Sequence, residues 1–220
     1  MTLALPFDFK PVCVRVGSLS LSRGGRTLVT GLGFAAAPGD ALVVTGPNGS
    51  GKTTLLRTLA GFIKPDAGEI NITASQGEVK IAFLGHSEGL KPGESVGDAL
   101  GFWARLNGVE DAAIEPVMRR MAVAHLESRA CGTLSAGQRR RTAIARLALT
   151  NAGVWILDEP TAPLDEKSRR RLADLIAEYR VAGGVVIATT HAALDWPDQK
   201  QLDLTQAATA ARASSTRVGA

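Results

Sequence analysis

The 220 residues hold 25 Lys and Arg against 21 Asp and Glu, for a net charge of +4, with 45% hydrophobic and 21% charged residues; this ordinary balance excludes wholesale disorder and a fibrous class. The length suits one sizeable core, or one core with a small inserted lobe, and leaves no room for two full domains. No run approaches about 18 uninterrupted apolar residues, the start lacks a basic stretch followed by a long apolar one, and Cys13 and Cys131 form no C-x-x-C pattern, so a membrane-crossing helix, a secretion signal, a disulfide scaffold and a zinc site are all unexpected.

In chain order, residues 1–17 read as an N-terminal extension, with most of the first ten expected to be disordered. Short runs at 19–21, 32–35 and 41–45, bounded by Gly, Pro or polar residues, predict strands. Directly after Ala41-Leu42-Val43-Val44 comes Gly46-Pro47-Asn48-Gly49-Ser50-Gly51-Lys52-Thr53, which fits the phosphate-loop pattern G-x-x-x-x-G-K-T. Such a loop turns several backbone N–H groups toward one anion, and Lys52 reaches the outer phosphates. The Thr53 hydroxyl suits a Mg²⁺ that prefers oxygen ligands, and the positive end of the helix starting there, Thr54 included, faces the same anion. These residues are therefore candidates to bind a nucleoside triphosphate, with ATP and Mg²⁺ as the expected ligands.

That helix is predicted over 53–60, with Leu55, Leu56 and Leu59 on its core face and Gly61 ending it. Strands follow at 69–73 and 79–84. A helical subdomain is expected over about 88–150, because residues 95–130 contain no good strand. There Val96, Leu100, Trp103 and Leu106 recur at helical spacing, as do Ile114, Val117, Met118 and Met121, with Asn107-Gly108 between the two helices. A third helix runs from near Ser135 to Leu149. The basic excess is clustered in Arg139-Arg140-Arg141 and Arg169-Arg170-Arg171, where three consecutive charges on a helix spread around more than one face; the second run is expected to be solvated surface. Nucleic-acid binding is not expected, since no basic stripe is interleaved with aromatics.

The apolar run Val154-Trp155-Ile156-Leu157 predicts a buried strand ending in Asp158 and Glu159. Asp158 can hold Mg²⁺ through water beside Thr53, while Glu159, freed from the strand, can polarise an attacking water. A helix over 166–180 and a strand over 185–188 complete an α/β alternation, which implies a largely parallel sheet with ligands at the carboxyl ends of its strands. The tail, 205–220, has no apolar period and is expected to be disordered.

Leu134-Ser135-Ala136-Gly137-Gln138 resembles the LSGGQ signature of the ABC ATPases, with Ala at the third position. Ser135 is a good N-cap and hydroxyl donor, Gly137 permits close backbone approach, and the helix start offers a second phosphate cradle. The resemblance covers about residues 18–195 and implies a P-loop NTPase fold of the ABC type over 18–204: a mostly parallel core sheet, an antiparallel β part and a helical subdomain. It further implies that Leu134, Ser135, Ala136, Gly137 and Gln138 meet the ATP of a second copy of the chain. Glu159, Lys52 and His191, the switch histidine after Thr189-Thr190, would be catalytic, and Asp165 of Pro163-Leu164-Asp165 would belong to the D-loop. Two positions depart from the family pattern. His86, after Ile81-Ala82-Phe83-Leu84-Gly85, stands where most members carry Gln, and joins Thr53 and Asp158 as a third candidate toward Mg²⁺. No aromatic residue precedes Gly24-Gly25 to stack on adenine; Arg23 offers a planar guanidinium there instead.

Phe83-Leu84-Gly85-His86, Leu100-Gly101-Phe102-Trp103 and the signature followed by Arg139-Arg140-Arg141 resemble the CcmA-type ATPases of cytochrome c maturation, a branch of that family assigned to heme export. This implies a peripheral subunit on the cytoplasmic face of the bacterial inner membrane. It would work as two copies with a CcmB-like membrane permease and a CcmC-like protein. No heme-binding C-x-x-C-H occurs. An ATPase of another ABC importer or exporter, and a soluble ABC ATPase without transport, stay open as readings of the residues.

Overall fold

Five strands, four of them largely apolar, form the centre of the molecule, as a computed structural model covering residues 5, 7–190 and 196–205 describes it. In chain order the elements are β1 (Val12–Arg23), β2 (Arg26–Ala36), β3 (Ala41–Thr45), α1 (Lys52–Leu59), β4 (Ala67–Ala74), β5 (Ile81–Leu84), α2 (Val96–Asn107), α3 (Ile114–Arg120), α4 (Ala136–Ala148), β6 (Val154–Asp158), α5 (Glu166–Val181), β7 (Val185–Thr189) and β8 (Lys200–Asp203). The central sheet has the order β5-β6-β7-β3-β8, and its ladders are all parallel. A second, antiparallel sheet has the order β2-β1-β4. Its hairpin pairs Arg23 with Arg26 around Gly24 and Gly25, both at positive φ (58° and 75°), the backbone a two-residue turn needs.

Side-chain alternation divides the interior into two cores. Ala41, Val43, Trp155, Leu157, Val186 and Ala188 face α2 to α5. The intervening residues Leu42, Val44, Val154, Ile156, Val185 and Ile187 face α1 and the antiparallel sheet. A strand covered on both sides has no solvated face for polar groups, so these strands become polar only where they leave the sheet. That is why Thr45, Asp158 and Thr189, the last residues of β3, β6 and β7, gather at one edge.

The structure corrects several expectations. The first strand starts at Val12, within the segment read as an extension. Of the ten residues expected to be mostly disordered, Leu5, Phe7 and Phe9 pack on the helical-side core. Phe7 meets Trp155 and Tyr179 edge-on at 5.9 and 5.4 Å, Phe9 lies 5.1 Å from Tyr179, and Trp155 stacks on Tyr179 at 3.9 Å. Strand β8 has only Leu202 as an apolar residue in Lys200-Gln201-Leu202-Asp203, too weak a pattern to predict, yet it extends the sheet beside β3. The expected switch residue His191 and the tail from 206 lie outside the described residues.

Replacing Phe7 and Phe9 together by Ala should cost about 2 kcal/mol, from the lost ring contacts and half-buried area. Urea denaturation checks this; an unmoved midpoint would show that the segment adds nothing to the core.

Candidate functional site

Between β3 and α1 the chain turns through Gly46 at φ 140°, where a Cβ would sit 2.9 Å from Ser50 Oγ. Helices α2, α4 and α5 each begin with a capping side chain, from Ser95, Ser135 and Asp165 respectively, whereas α1 begins at Gly51 with no side-chain cap. Its first N–H groups are left for something outside the helix. Lys52 folds back, its Nζ donating to the carbonyls of Gly46 at 2.7 Å and Pro47 at 3.2 Å. Ser50 Oγ is buried without a hydrogen-bond partner. An uncapped helix start, an unsatisfied hydroxyl and a buried ammonium around one turn fit a phosphate chain.

Opposite this loop, Asp158 ends β6 with 4% of its surface exposed. Its Oδ1 accepts from Thr189 Oγ1 at 2.7 Å and from Thr53 Oγ1 at 3.4 Å. The paired hydroxyl and carboxylate of Thr53 and Asp158 are the hard oxygen donors that suit Mg²⁺. Glu159 leaves the strand at φ 50°, its N–H donating to Thr189 Oγ1 at 3.2 Å. Such a backbone angle is uncommon for a side chain of this size and turns Glu159 out of the line of the strand. A cleft of about 430 Å³ is lined by Arg23, Asn48, Gly49, Gly51, Lys52, Thr53, Thr54, His86, Asp158 and Glu159. The structure thus brings together the phosphate loop, both acids, His86 and Arg23. It adds Arg26 and Leu28 to the wall, which sequence reasoning had not selected.

The signature segment lies apart from that cleft. Ser135 Oγ accepts from Gln138 N at 3.3 Å, and Gln138 Oε1 accepts from Ser135 N at 3.0 Å, a reciprocal capping box. Leu134 is buried, Ser135 and Ala136 are exposed, and a Cβ at Gly137 would lie 3.2 Å from the Pro163 carbonyl. The segment Pro163-Leu164-Asp165 therefore packs on the signature. Asp165 caps α5, accepting from Ser168 N at 2.8 Å, and hydrogen bonding from Ser168 holds its carboxyl below the usual range.

Two further residues hold the site together. Thr189 grips Asp158 and the Glu159 amide, as above. Arg140 is 3% exposed and donates from Nη1 to Gly85 O (2.8 Å), from Nη2 to Asp158 O and Glu159 O (both 2.8 Å), and from Nε to Pro160 O (3.2 Å). Burial lowers its pKa, opposed by the charges of Glu88, Asp158 and Glu159. A signal for its inward direction was present: Arg140 precedes the inward residues Ala143, Ile144 and Leu147 by three, four and seven positions. The second arginine run, expected as solvated surface, is so only at Arg170. Arg169 and Arg171 are half-buried and donate to Leu164 O at 3.1 Å and Arg120 O at 3.2 Å.

Residues 29–162 match the ABC transporter family model. The chain is 49% identical over 201 residues to the cytochrome c biogenesis ATP-binding export protein CcmA of Maricaulis maris, covering 90% of this chain and 94% of that one. It is 43% identical over 204 residues to the protein of the same name from Paramagnetospirillum magneticum, covering 88% and 94%. Among solved structures, a Pyrococcus furiosus chain assigned as an ABC transporter ATP-binding protein superposes with a TM-score of 0.75 at 27% identity, over 89% of this chain and 99% of that one.

Thr189→Val keeps the side-chain shape but removes the hydroxyl, leaving an Asp158 oxygen and the Glu159 N–H without it. A loss of about 1–3 kcal/mol in unfolding free energy is expected. Denaturant titration measures it, and a wild-type midpoint would show that the hydroxyl does not anchor this turn.

Proposed function

Because this chain belongs to the ABC transporter family of ATP-binding proteins, hydrolysing ATP to drive transport, we propose that it powers an exporter for cytochrome c biogenesis, the process named for its relatives. The observation that carries this reading is the 43–49% identity to relatives of that one name, over 94% of the length of the first two. The cleft supplies the chemistry to go with it.

In this reading the loop from Gly46 to Thr53 and the uncapped start of α1 hold the phosphates of ATP. Lys52 exchanges its carbonyl partners for the outer phosphates. Thr53 and Asp158 hold Mg²⁺, with His86 on the same cleft wall as a third candidate; the ion, when bound, offsets charge that gathers on the phosphates. Glu159 accepts a proton from the attacking water, and His191, following Thr190, contacts the γ-phosphate. Arg23 faces the nucleotide base. Ser135 and Ala136, exposed, and the half-buried Gly137, all away from their own chain's cleft, approach the ATP held by a second copy, with Asp165 next to that contact. Two ATP molecules would then close the dimer, and hydrolysis would remove the anions that bridge it.

As an ABC ATPase the chain would act with a membrane partner; no helix among the described residues is long and apolar enough to cross a bilayer. A CcmB-like permease, with a CcmC-like protein, at the cytoplasmic face of the bacterial inner membrane fits this role. Its docking place is a groove of about 310 Å³ lined by Phe62, Ile81, Phe83, Trp103, Asn107 and Arg146, among others. Phe62 and Ile81 of this lining, together with Phe102 and Leu106 on the helix that carries Trp103, are exposed apolar side chains, and an exposed apolar patch marks a contact surface. The groove also contains a buried cation: Arg146 lies over the Trp103 ring at 4.6 Å, with its pKa lowered by burial to about 10.

Glu159→Gln is expected to slow ATP hydrolysis by about 10²- to 10⁴-fold while leaving ATP binding and ATP-driven dimerisation intact. Normal turnover in that variant would remove Glu159 as the base. Lys52→Ala should weaken ATP binding by at least about tenfold, roughly 1.4 kcal/mol, and unchanged affinity would sink the cradle. For the membrane partner, Phe62→Asp should abolish co-purification of a permease from membranes without changing ATPase activity of the isolated chain; retained co-purification would place the docking face elsewhere.

A further inference from the structure

Arg140 is a buried cation with no direct carboxylate partner among the described residues, hydrogen-bonded to four backbone carbonyls that belong to two segments of the cleft. Three of them, at Asp158, Glu159 and Pro160, form the turn that carries both acids; the fourth, Gly85, precedes His86. Packing alone does not call for a charge there. The next inward residues of α4 are Ala143, Ile144 and Leu147, and an apolar side chain would avoid the desolvation that burying a guanidinium entails. What a planar fork does, and an apolar group cannot, is hold several carbonyls in fixed relative positions. The Glu159 peptide is held on both sides: its N–H by Thr189 Oγ1 at 3.2 Å and its C=O by Arg140 Nη2 at 2.8 Å. That grip maintains the positive φ of 50° at Glu159.

The N-cap of the same helix is Ser135, exposed and five residues before Arg140, about 7.5 Å along the axis. Helix α4 is continuous from Ala136 to Ala148, so a shift or tilt at its start is carried to the guanidinium.

We propose that Arg140 is a positioning residue that links the seating of one chain's Ser135–Gly137 cradle on the partner's nucleotide to the alignment of Glu159 and of the Gly85-His86 turn in its own cleft. The two ATP sites of a dimer then communicate through α4. This rests on the reading that Glu159 is the base and that the Ser135 cradle acts across the dimer.

The test is steady-state ATP hydrolysis by the full chain carrying Arg140→Lys or Arg140→Gln, with melting temperature measured in parallel. Lys keeps length and charge but lacks the fork, so it carries the test if Gln impairs folding. At saturating ATP, kcat should fall about 10- to 100-fold, while KM for ATP changes by less than about threefold. The Hill coefficient for ATP, above 1 in the wild type, should move toward about 1. A merely structural residue would lower the melting temperature and the active fraction, leaving kcat per folded chain and the Hill coefficient unchanged. Full kcat in Arg140→Lys, or a wild-type Hill coefficient of about 1, overturns the proposal. Glu159→Gln in the same assay separates the two readings. If it retains turnover, the assignment of the base fails. If it is inactive while Arg140→Lys is fully active, only the positioning role fails.

Discussion

The carboxylate of Asp158 sits at the end of a strand in which every residue is buried, and the hydroxyls of Thr189 and Thr53, at 2.7 and 3.4 Å, stand beside it where water would otherwise be. A carboxylate in such a place is stable only with hydrogen-bond donors or a cation, because desolvation opposes its charged form. Both donors come from neighbouring parts of the same sheet edge: Thr189 from the end of β7, which pairs with β6 in register so that Asp158 and Thr189 are partners, and Thr53 from the first turn of α1. Through Thr53 the acid is tied to the phosphate loop, and through Thr189 it is tied to the amide of Glu159. A change in sheet register would separate all of these groups at once.

This dependence explains which parts of the site could be read in the sequence. The phosphate loop, the pair Asp158-Glu159 and the Ser135 cap are local: each lies within a few residues of the apolar run or helical period that fixes its context, so spacing alone identifies it. Thr189 and Arg140 act over 31 and 18 positions to reach Asp158. Nothing in a local pattern says that a threonine ending one strand supports an acid ending another. The missed parts of the fold have the same origin. Strand β8 is set beside β3 by pairing across the chain rather than by an apolar pattern of its own, and Phe7 and Phe9 are ordered by Tyr179, which arrives from α5 far along the chain. Short apolar segments near a terminus carry no period from which such a contact could be inferred.

The two cores also set what can move relative to what. The phosphate loop and α1 belong to the side that includes the antiparallel sheet, whereas α2 to α5 pack on the opposite face. Each strand alternates between the two, so the acids and the loop are fixed to one rigid sheet. The helices α2, α3 and α4 are joined to that sheet more through side chains such as Arg140 and Arg146 than through backbone pairing. Arg146 reaches Phe83 O only at 3.4 Å, and its Nε is buried without a partner. Polar contacts of this kind are sensitive to small displacements, because a donor loses its geometry within a fraction of an ångström while an apolar contact merely slides. The helical side is therefore the part best suited to reporting an external contact to the acids.

The chemistry left at Ser135 bears on what that contact is. Its oxygen accepts from the Gln138 amide, which satisfies the helix but leaves the hydroxyl hydrogen to donate outward. With Ala136 exposed beside it and the amides of the first turn of α4 behind it, the exposed surface there is a donor set at the positive end of a helix of 13 residues. An anion is the natural partner for such a surface, yet among the described residues no acidic side chain bonds to it: the packed segment Pro163-Leu164-Asp165 directs its carboxylate to the start of α5. The phosphates in this chain's own cleft would lie with the loop from Gly46 to Thr53, on a wall that includes none of the signature residues. A second copy presenting its own nucleotide would supply both the anion and the symmetry, since each chain then offers one cleft and one cradle and receives the same pair in return. On this argument the cleft in one chain is half of a site. In the proposed dimer, the capping box that stabilises α4 would also keep the other half preorganised before the partner arrives.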